Sequence, residues 1–110
     1  MNKSIELIGT MVLNGGQDLI KQYKCIDHPV KRYVVIDNSE GKHKDVKDAI
    51  EYLRDYPSPF IDDLVIICNR QNVGFSGSVN QIIKLNSDKP YWFVMSSDWH
   101  PQPGELSKLA

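Results

Sequence analysis

Asp98 is the residue on which metal chemistry would rest. It stands in Ser96-Ser97-Asp98-Trp99-His100-Pro101, directly after the apolar run Tyr91-Trp92-Phe93-Val94-Met95, and no other carboxylate lies between Asp88 and Glu105. A hard divalent cation wants oxygen ligands, and Mg2+ commonly takes one or two protein carboxylates together with water and substrate phosphate. One aspartate with a diphosphate ligand is therefore enough. His100 adds an imidazole, a donor that suits Mn2+ better than Ca2+. The same residues also fit an ordinary loop, an Asp beside a solvated His, and the stretch alone leaves both readings open.

Two further stretches bear on the question. Asn72-Val73-Gly74-Phe75-Ser76-Gly77-Ser78-Val79-Asn80 is glycine-rich and leads into a helix. Small residues permit close backbone approach, and a helix N-terminus offers free N–H groups to a phosphate. It has neither the Gly-Lys-Ser/Thr of a Walker loop nor a G-x-G-x-x-G fingerprint, so a simple tight helix entry remains the alternative. Asp37 ends Val34-Val35-Ile36 and starts Asp37-Asn38-Ser39. It can accept hydrogen bonds from a nucleoside, or it can close an Asx turn. No Ser-His-Asp or Cys-His arrangement stands out, and His28 and His43 read as solvated residues at helix ends.

These candidates need elements to carry them. Residues 5–13 form a short apolar run closed by Asn14-Gly15-Gly16, a strand buried on both faces. Leu19, Tyr23 and Ile26 make one helical stripe that stops near His28-Pro29. Residues 31–36 are β-branched and aromatic, a second strand. Val46, Ile50 and Leu53 repeat the helical spacing and end before Pro57-Ser58-Pro59. Residues 64–68 give a third strand, Val79, Ile82 and Ile83 a third helix capped by Ser76 or Ser78, and 91–95 a fourth strand.

The order β-α-β-α-β-α-β with apolar strands predicts an α/β, Rossmann-like parallel sheet with helices on both faces. Ligands of such sheets bind at the carboxyl ends of the strands. All four predicted strand ends carry polar or glycine-rich loops, which makes a binding site the better reading. Bulk properties agree with one domain spanning 1–110: the 13 basic and 14 acidic residues nearly cancel, leaving no electrostatic footprint for nucleic acid. No apolar run approaches the about 20 residues that span a bilayer, so no transmembrane segment is expected. Cys25 and Cys68 lack metal-ligand spacing and read as buried or half-buried thiols, which places the chain in a reducing, cytoplasmic setting.

Taken together, the loops resemble the nucleotide-sugar-binding half of the family 2 type of inverting glycosyltransferases, which have the GT-A fold. Thr10-Met11-Val12-Leu13-Asn14 is similar to the first-strand "P-T-Y-N" region, and Val34-Val35-Ile36-Asp37-Asn38-Ser39 to "V-V-D-N-S". The stretch 72–80 is similar to "N-x-G-F-x-x-x-x-N", and Ser96-Ser97-Asp98 followed by Pro101-x-Pro103-Gly104-x-Leu106 to "D-x-D…P-x-P-G-x-L". Ser96 stands where the family has its first acid, and Met11 and Leu13 where Pro and Tyr are common.

The resemblance implies a hexosyltransferase-type enzyme that binds a UDP- or GDP-linked sugar with Mn2+ or Mg2+ and transfers it to a hydroxyl of a glycan or other acceptor. Asp37 would contact the base, and Thr10, Leu13 and Asn14 would line the base and ribose pocket. Asn38, Asn72, Gly74, Phe75 and Ser97 would complete the nucleotide-sugar site, with Asp98 and His100 at the metal. Family members continue well past the metal motif into an acceptor half that carries the general base. The chain is therefore expected to be a donor-binding fragment of a longer enzyme, or to work with another chain, its catalytic base outside these residues. The competing expectation is a non-catalytic nucleotide-binding or regulatory module of the same fold. A flavodoxin-like phospho-acceptor domain is disfavoured, since Asn14 and Asn69 occupy the positions where it needs acids.

Overall fold

The computed structural model describes residues 4–87 and 93–109. Four strands alternate with helices: β1 (Ile8–Val12), α1 (Gly16–Lys24), β2 (Val30–Asp37), α2 (Lys44–Asp55), β3 (Ile61–Cys68), α3 (Gly74–Leu85), β4 (Phe93–Ser96) and a short α4 (Glu105–Leu109). The sheet is wholly parallel, in the order β3-β2-β1-β4. This is the α/β, Rossmann-like arrangement anticipated from the sequence.

Register sorts the side chains onto two faces. Ile8, Thr10 and Val12 stand level with Tyr33, Val35 and Asp37, so they share a face, and the intervening Gly9 and Met11 share the other with Val34 and Ile36. The first face meets α1 and α2 through Leu19, Tyr23, Val46, Ile50 and Leu53, and Leu106 of α4 plugs into the same core. The second face, with Leu7, Val34 and Ile36, is covered by α3 through Ile82. Central β1 and β2 are thus buried on both sides, as their continuous apolar runs require, whereas β3 is at most half-buried at the edge. Among the described residues no helix is long and apolar enough to cross a membrane.

Helix α1 starts with an unusually close contact. The Gly16 N–H donates to Asp45 Oδ2 at 2.9 Å, joining the first turns of α1 and α2. This bond is the main reason the Asp45 carboxyl lies below the usual range. A Cβ on Gly16 would fall 2.1 Å from the Asp45 carbonyl oxygen, so only glycine permits the approach.

Several local expectations differ from the structure. Helix α1 ends at Lys24, because the Cys25 N–H closes back on both the Lys21 and Gln22 carbonyls; Ile26 lies beyond the helix yet still packs in the core. Neither Ser76 nor Ser78 caps α3, which begins at Gly74 after Val73. Strand β3 starts at Ile61, since Val30 pairs with Ile61 and extends the ladder past the apolar run. His28 is buried, not solvated, and Cys68 is exposed while Cys25 is half-buried. Of the fourth predicted strand, Tyr91 and Trp92 lie outside the described residues. The Pro-rich segment after β4 contains α4, which the loop reading did not anticipate.

Candidate functional site

Strand β1 connects to β2 through α1 on one face, and β3 connects to β4 through α3 on the other. The chain therefore turns in opposite senses on either side of β1, and a crevice opens at the carboxyl ends of β1 and β4, where open α/β sheets bind ligands. A cavity of about 370 Å³ occupies that place. Its floor and one side are Met11, Val12, Leu13 and Asn14, with Asn38 behind them. Asn72, Gly74 and Phe75 border it from the α3 entry, and Asp18, Ser96, Ser97 and Asp98 from the α1–β4 side.

The β4 side is built from a single turn. The Trp99 N–H donates to the Ser96 carbonyl at 3.0 Å, which closes Ser96-Ser97-Asp98-Trp99 as a four-residue turn with Asp98 third. Ser97 is buried there while Asp98 remains exposed. Asp18, in the first turn of α1, is a second carboxylate on the cavity. Its place there was not apparent from the sequence, because nothing in the spacing of residues 18 and 98 signals that a parallel crossover brings them to one cavity.

The α3 side is set by a chain of polar side chains. Asn69 and Gln81 exchange two amide hydrogen bonds of 2.9 and 2.8 Å. Asn69 also donates to Asn38 Oδ1 at 2.9 Å, Asn38 Nδ2 donates to Ser78 Oγ, and Ser78 Oγ donates to the Gly74 carbonyl at 2.8 Å. These bonds fix the start of α3 against the ends of β2 and β3. Gly74 has φ +72°, a left-handed backbone that favours glycine, and its N–H donates to Asn72 Oδ1 at 2.8 Å. Phe75 is thereby presented 63% exposed at the cavity, which Leu13, 45% exposed, also lines. Two exposed apolar side chains on the cavity offer surfaces to a flat ring, and the oxygen-rich turn offers a place for charge.

Of the residues singled out from the sequence, Leu13, Asn14, Asn38, Asn72, Gly74, Phe75, Ser97 and Asp98 line this one cavity. Thr10, Asp37 and His100 do not. Thr10 is fully buried on the α1/α2 face, level with Val35, and its hydroxyl finds no partner among the described residues. Asp37 shares that face; its Oδ1 accepts from the Ser39 N–H at 2.8 Å, the Asx-turn geometry. It borders a separate cavity of about 330 Å³ with Arg54 and Cys68; although Cys68 is exposed, partial desolvation, and after it the Asp37 charge, pushes its thiol up. His100 directs Nε2 at Asp18, 3.2 Å from its carbonyl and 3.6 Å from its carboxylate.

Among the described residues no three His, Cys, Asp or Glu side chains gather into a cation cage. The polar side chains on the cavity are the carboxylates of Asp98 and Asp18, the hydroxyls of Ser96 and Ser97, and the amides of Asn14, Asn38 and Asn72, whose oxygens can serve as donors to a cation. That all-oxygen set fits Mg2+ or Mn2+ held by one or two carboxylates and completed by a phosphate-bearing ligand. It does not fit a closed, all-protein site. No protein-family model, curated protein or solved structure matches the chain.

Proposed function

We propose that this chain is the nucleotide-sugar-binding half of an inverting glycosyltransferase of the GT-A type, with a divalent cation and the donor diphosphate held at Asp98. The observation that supports the reading is the β1–β4 crevice, whose lining combines the carboxylates of Asp98 and Asp18 and the Ser96 and Ser97 hydroxyls with the exposed side chains of Leu13 and Phe75. In this reading the base and ribose lie against Leu13, Asn14 and Asn38, under the loop of Asn72, Gly74 and Phe75. The diphosphate lies toward Ser97 and Asp98. Thr10 and Asp37 stay outside the contact set, one sealed in the core and the other engaged by Ser39.

A bound Mn2+ or Mg2+ supplies Lewis-acid neutralisation of the charge that develops on the departing nucleoside diphosphate. Asp98 holds the cation, with Asp18 beside it, and His100 orients Asp18 instead of ligating. Ser97, buried in the turn, offers a hydroxyl to the diphosphate. The carboxylate that would deprotonate the acceptor hydroxyl is assigned to none of these residues.

A second reading, a nucleotide-binding module without transfer activity, is favoured by Ser96 in the acidic position and by the engagement of His100 with Asp18. Calorimetric titration with UDP, GDP and their sugars, with and without Mn2+, separates the two. The transferase reading predicts that Mn2+ strengthens binding by about tenfold or more, since charge-assisted contacts to a diphosphate depend on it. Equal binding with and without metal supports the second reading. No binding of any nucleotide rejects both.

A further inference from the structure

We propose that Gln22 is a positioning residue for Asp98: its side-chain amide, oriented by Tyr33, holds both ends of the turn that presents the carboxylate to the cavity. The inference rests on the nucleotide–metal reading of that cavity and adds the means by which the α1 helix controls it.

Gln22 lies within α1 and is fully buried, a rare fate for a side chain with two donors and an acceptor. Burial of an amide is tolerated only when its groups are bonded. Here all of them are. Nε2 donates to the Ser96 carbonyl and to the Trp99 carbonyl, each at 2.8 Å. Those are the first and last residues of the turn that has Asp98 third. Oε1 accepts from the Tyr33 hydroxyl at 2.7 Å.

The partners on its two sides decide which way the amide faces. Tyr33 is fully buried on β2, and burial raises its phenol far above the ordinary range, so the hydroxyl stays a donor. The two turn carbonyls can only accept and so require the NH2 group, and the Tyr33 hydroxyl completes the match by donating to Oε1 on the other side. Were the amide reversed, its oxygen would face two carbonyl oxygens and its NH2 a hydroxyl whose own proton then had no acceptor. One amide thus fixes the spacing between Ser96 and Trp99, and with it the direction in which Asp98 leaves the turn. The His100–Asp18 contact acts on the residue after the turn and does not bond either end of it.

Two variants test the proposal, Gln22→Met, which keeps the side chain's length without its donors, and Tyr33→Phe, which touches neither turn nor cavity. Amide hydrogen exchange at Trp99, with the interior of α2 as internal reference, reads the turn; calorimetry with UDP and Mn2+ reads the site. In folded Gln22→Met, Trp99 exchange accelerates and Mn2+-dependent UDP affinity falls about tenfold, the lower end of what loss of a supporting contact costs a metal site, while metal-free UDP affinity falls by less, through Ser97 of the same turn alone. Tyr33→Phe moves both readouts the same way by roughly threefold, the weight of one hydrogen bond. If Gln22→Met does not fold, Tyr33→Phe decides alone by the same comparison. Wild-type exchange in the folded variants, or faster exchange without loss of metal-dependent affinity, overturns the proposal. Should the wild-type protein bind neither UDP nor GDP, the nucleotide reading falls, and Trp99 exchange still decides whether Gln22 holds the turn.

Discussion

Asp98→Ala is expected to lower Mn2+-dependent UDP affinity by about a hundredfold, within the ~2–5 kcal/mol that follows when one partner of a desolvated charge pair is removed. The melting temperature should stay within about 2 °C of wild type, because surface substitutions away from packed features usually change stability by under ~0.5 kcal/mol. Asp98 is exposed and, among the described residues, enters no ion pair and no core cluster; the turn around it is closed by backbone and by Gln22. Function and stability therefore separate at this position. Asp18→Ala should cost less, since Asp18 also serves His100 and lies half-exposed on the rim. Comparable isotherms for Asp98→Ala and wild type in Mn2+ would remove the carboxylate from the site.

Gly16→Ala carries the largest expected loss of stability. An added Cβ would lie 2.1 Å from the Asp45 carbonyl oxygen and 2.5 Å from its carbon, so the obstacle is backbone and cannot step aside. Helices α1 and α2 must separate, and the Gly16–Asp45 bond of 2.9 Å is lost with them. Overpacking a core usually costs about 1–3 kcal/mol, and a backbone collision belongs at or above the top of that range. For a domain of this size a loss of about 3 kcal/mol lowers the melting temperature by roughly 10–20 °C. Gly41→Ala is the contrast: its φ is +72°, but a Cβ there meets nothing within 4 Å. Strain alone should cost about 1 kcal/mol. Thermal melts of the two variants would refute the packing argument if Gly41→Ala proved the more damaging.

How the sequence encodes this molecule differs between scaffold and site. The β-branched runs of β1 and β2 became strands because burial on both faces leaves no polar alternation to obscure them, and the parallel order followed from the helices between the strands. Boundaries were less legible. Strand β3 gained residues 61–63 because its partner β2 begins at Val30, a tertiary pairing that no local pattern records. His28 looked solvated beside Pro29, yet the turn that ends α1 at Cys25 carries it inward.

Within the site, the loop residues Leu13, Asn14, Asn72, Gly74, Phe75 and Asp98 were visible because strand ends and glycine-rich entries are local signals. Strand phase sets Thr10 and Asp37 apart from this cavity: both fall on the α1/α2 face, which follows from their register with Val35 and Val12. Asp18, Gln22 and the Asn38–Asn69–Gln81 network were invisible for a different reason. Their partners lie 74 positions away for Gln22 and Ser96, and 31 for Asn38 and Asn69. Only the fold supplies those neighbours.

The most direct test of the central claim is line broadening of backbone amide signals by substoichiometric Mn2+ in the presence of UDP. Broadening centred on Ser97, Asp98 and Asp18, together with UDP-induced shifts at Leu13, Asn14, Gly74 and Phe75, is the predicted result. Broadening scattered over surface carboxylates such as Asp62 and Asp63, unchanged by UDP, would contradict it.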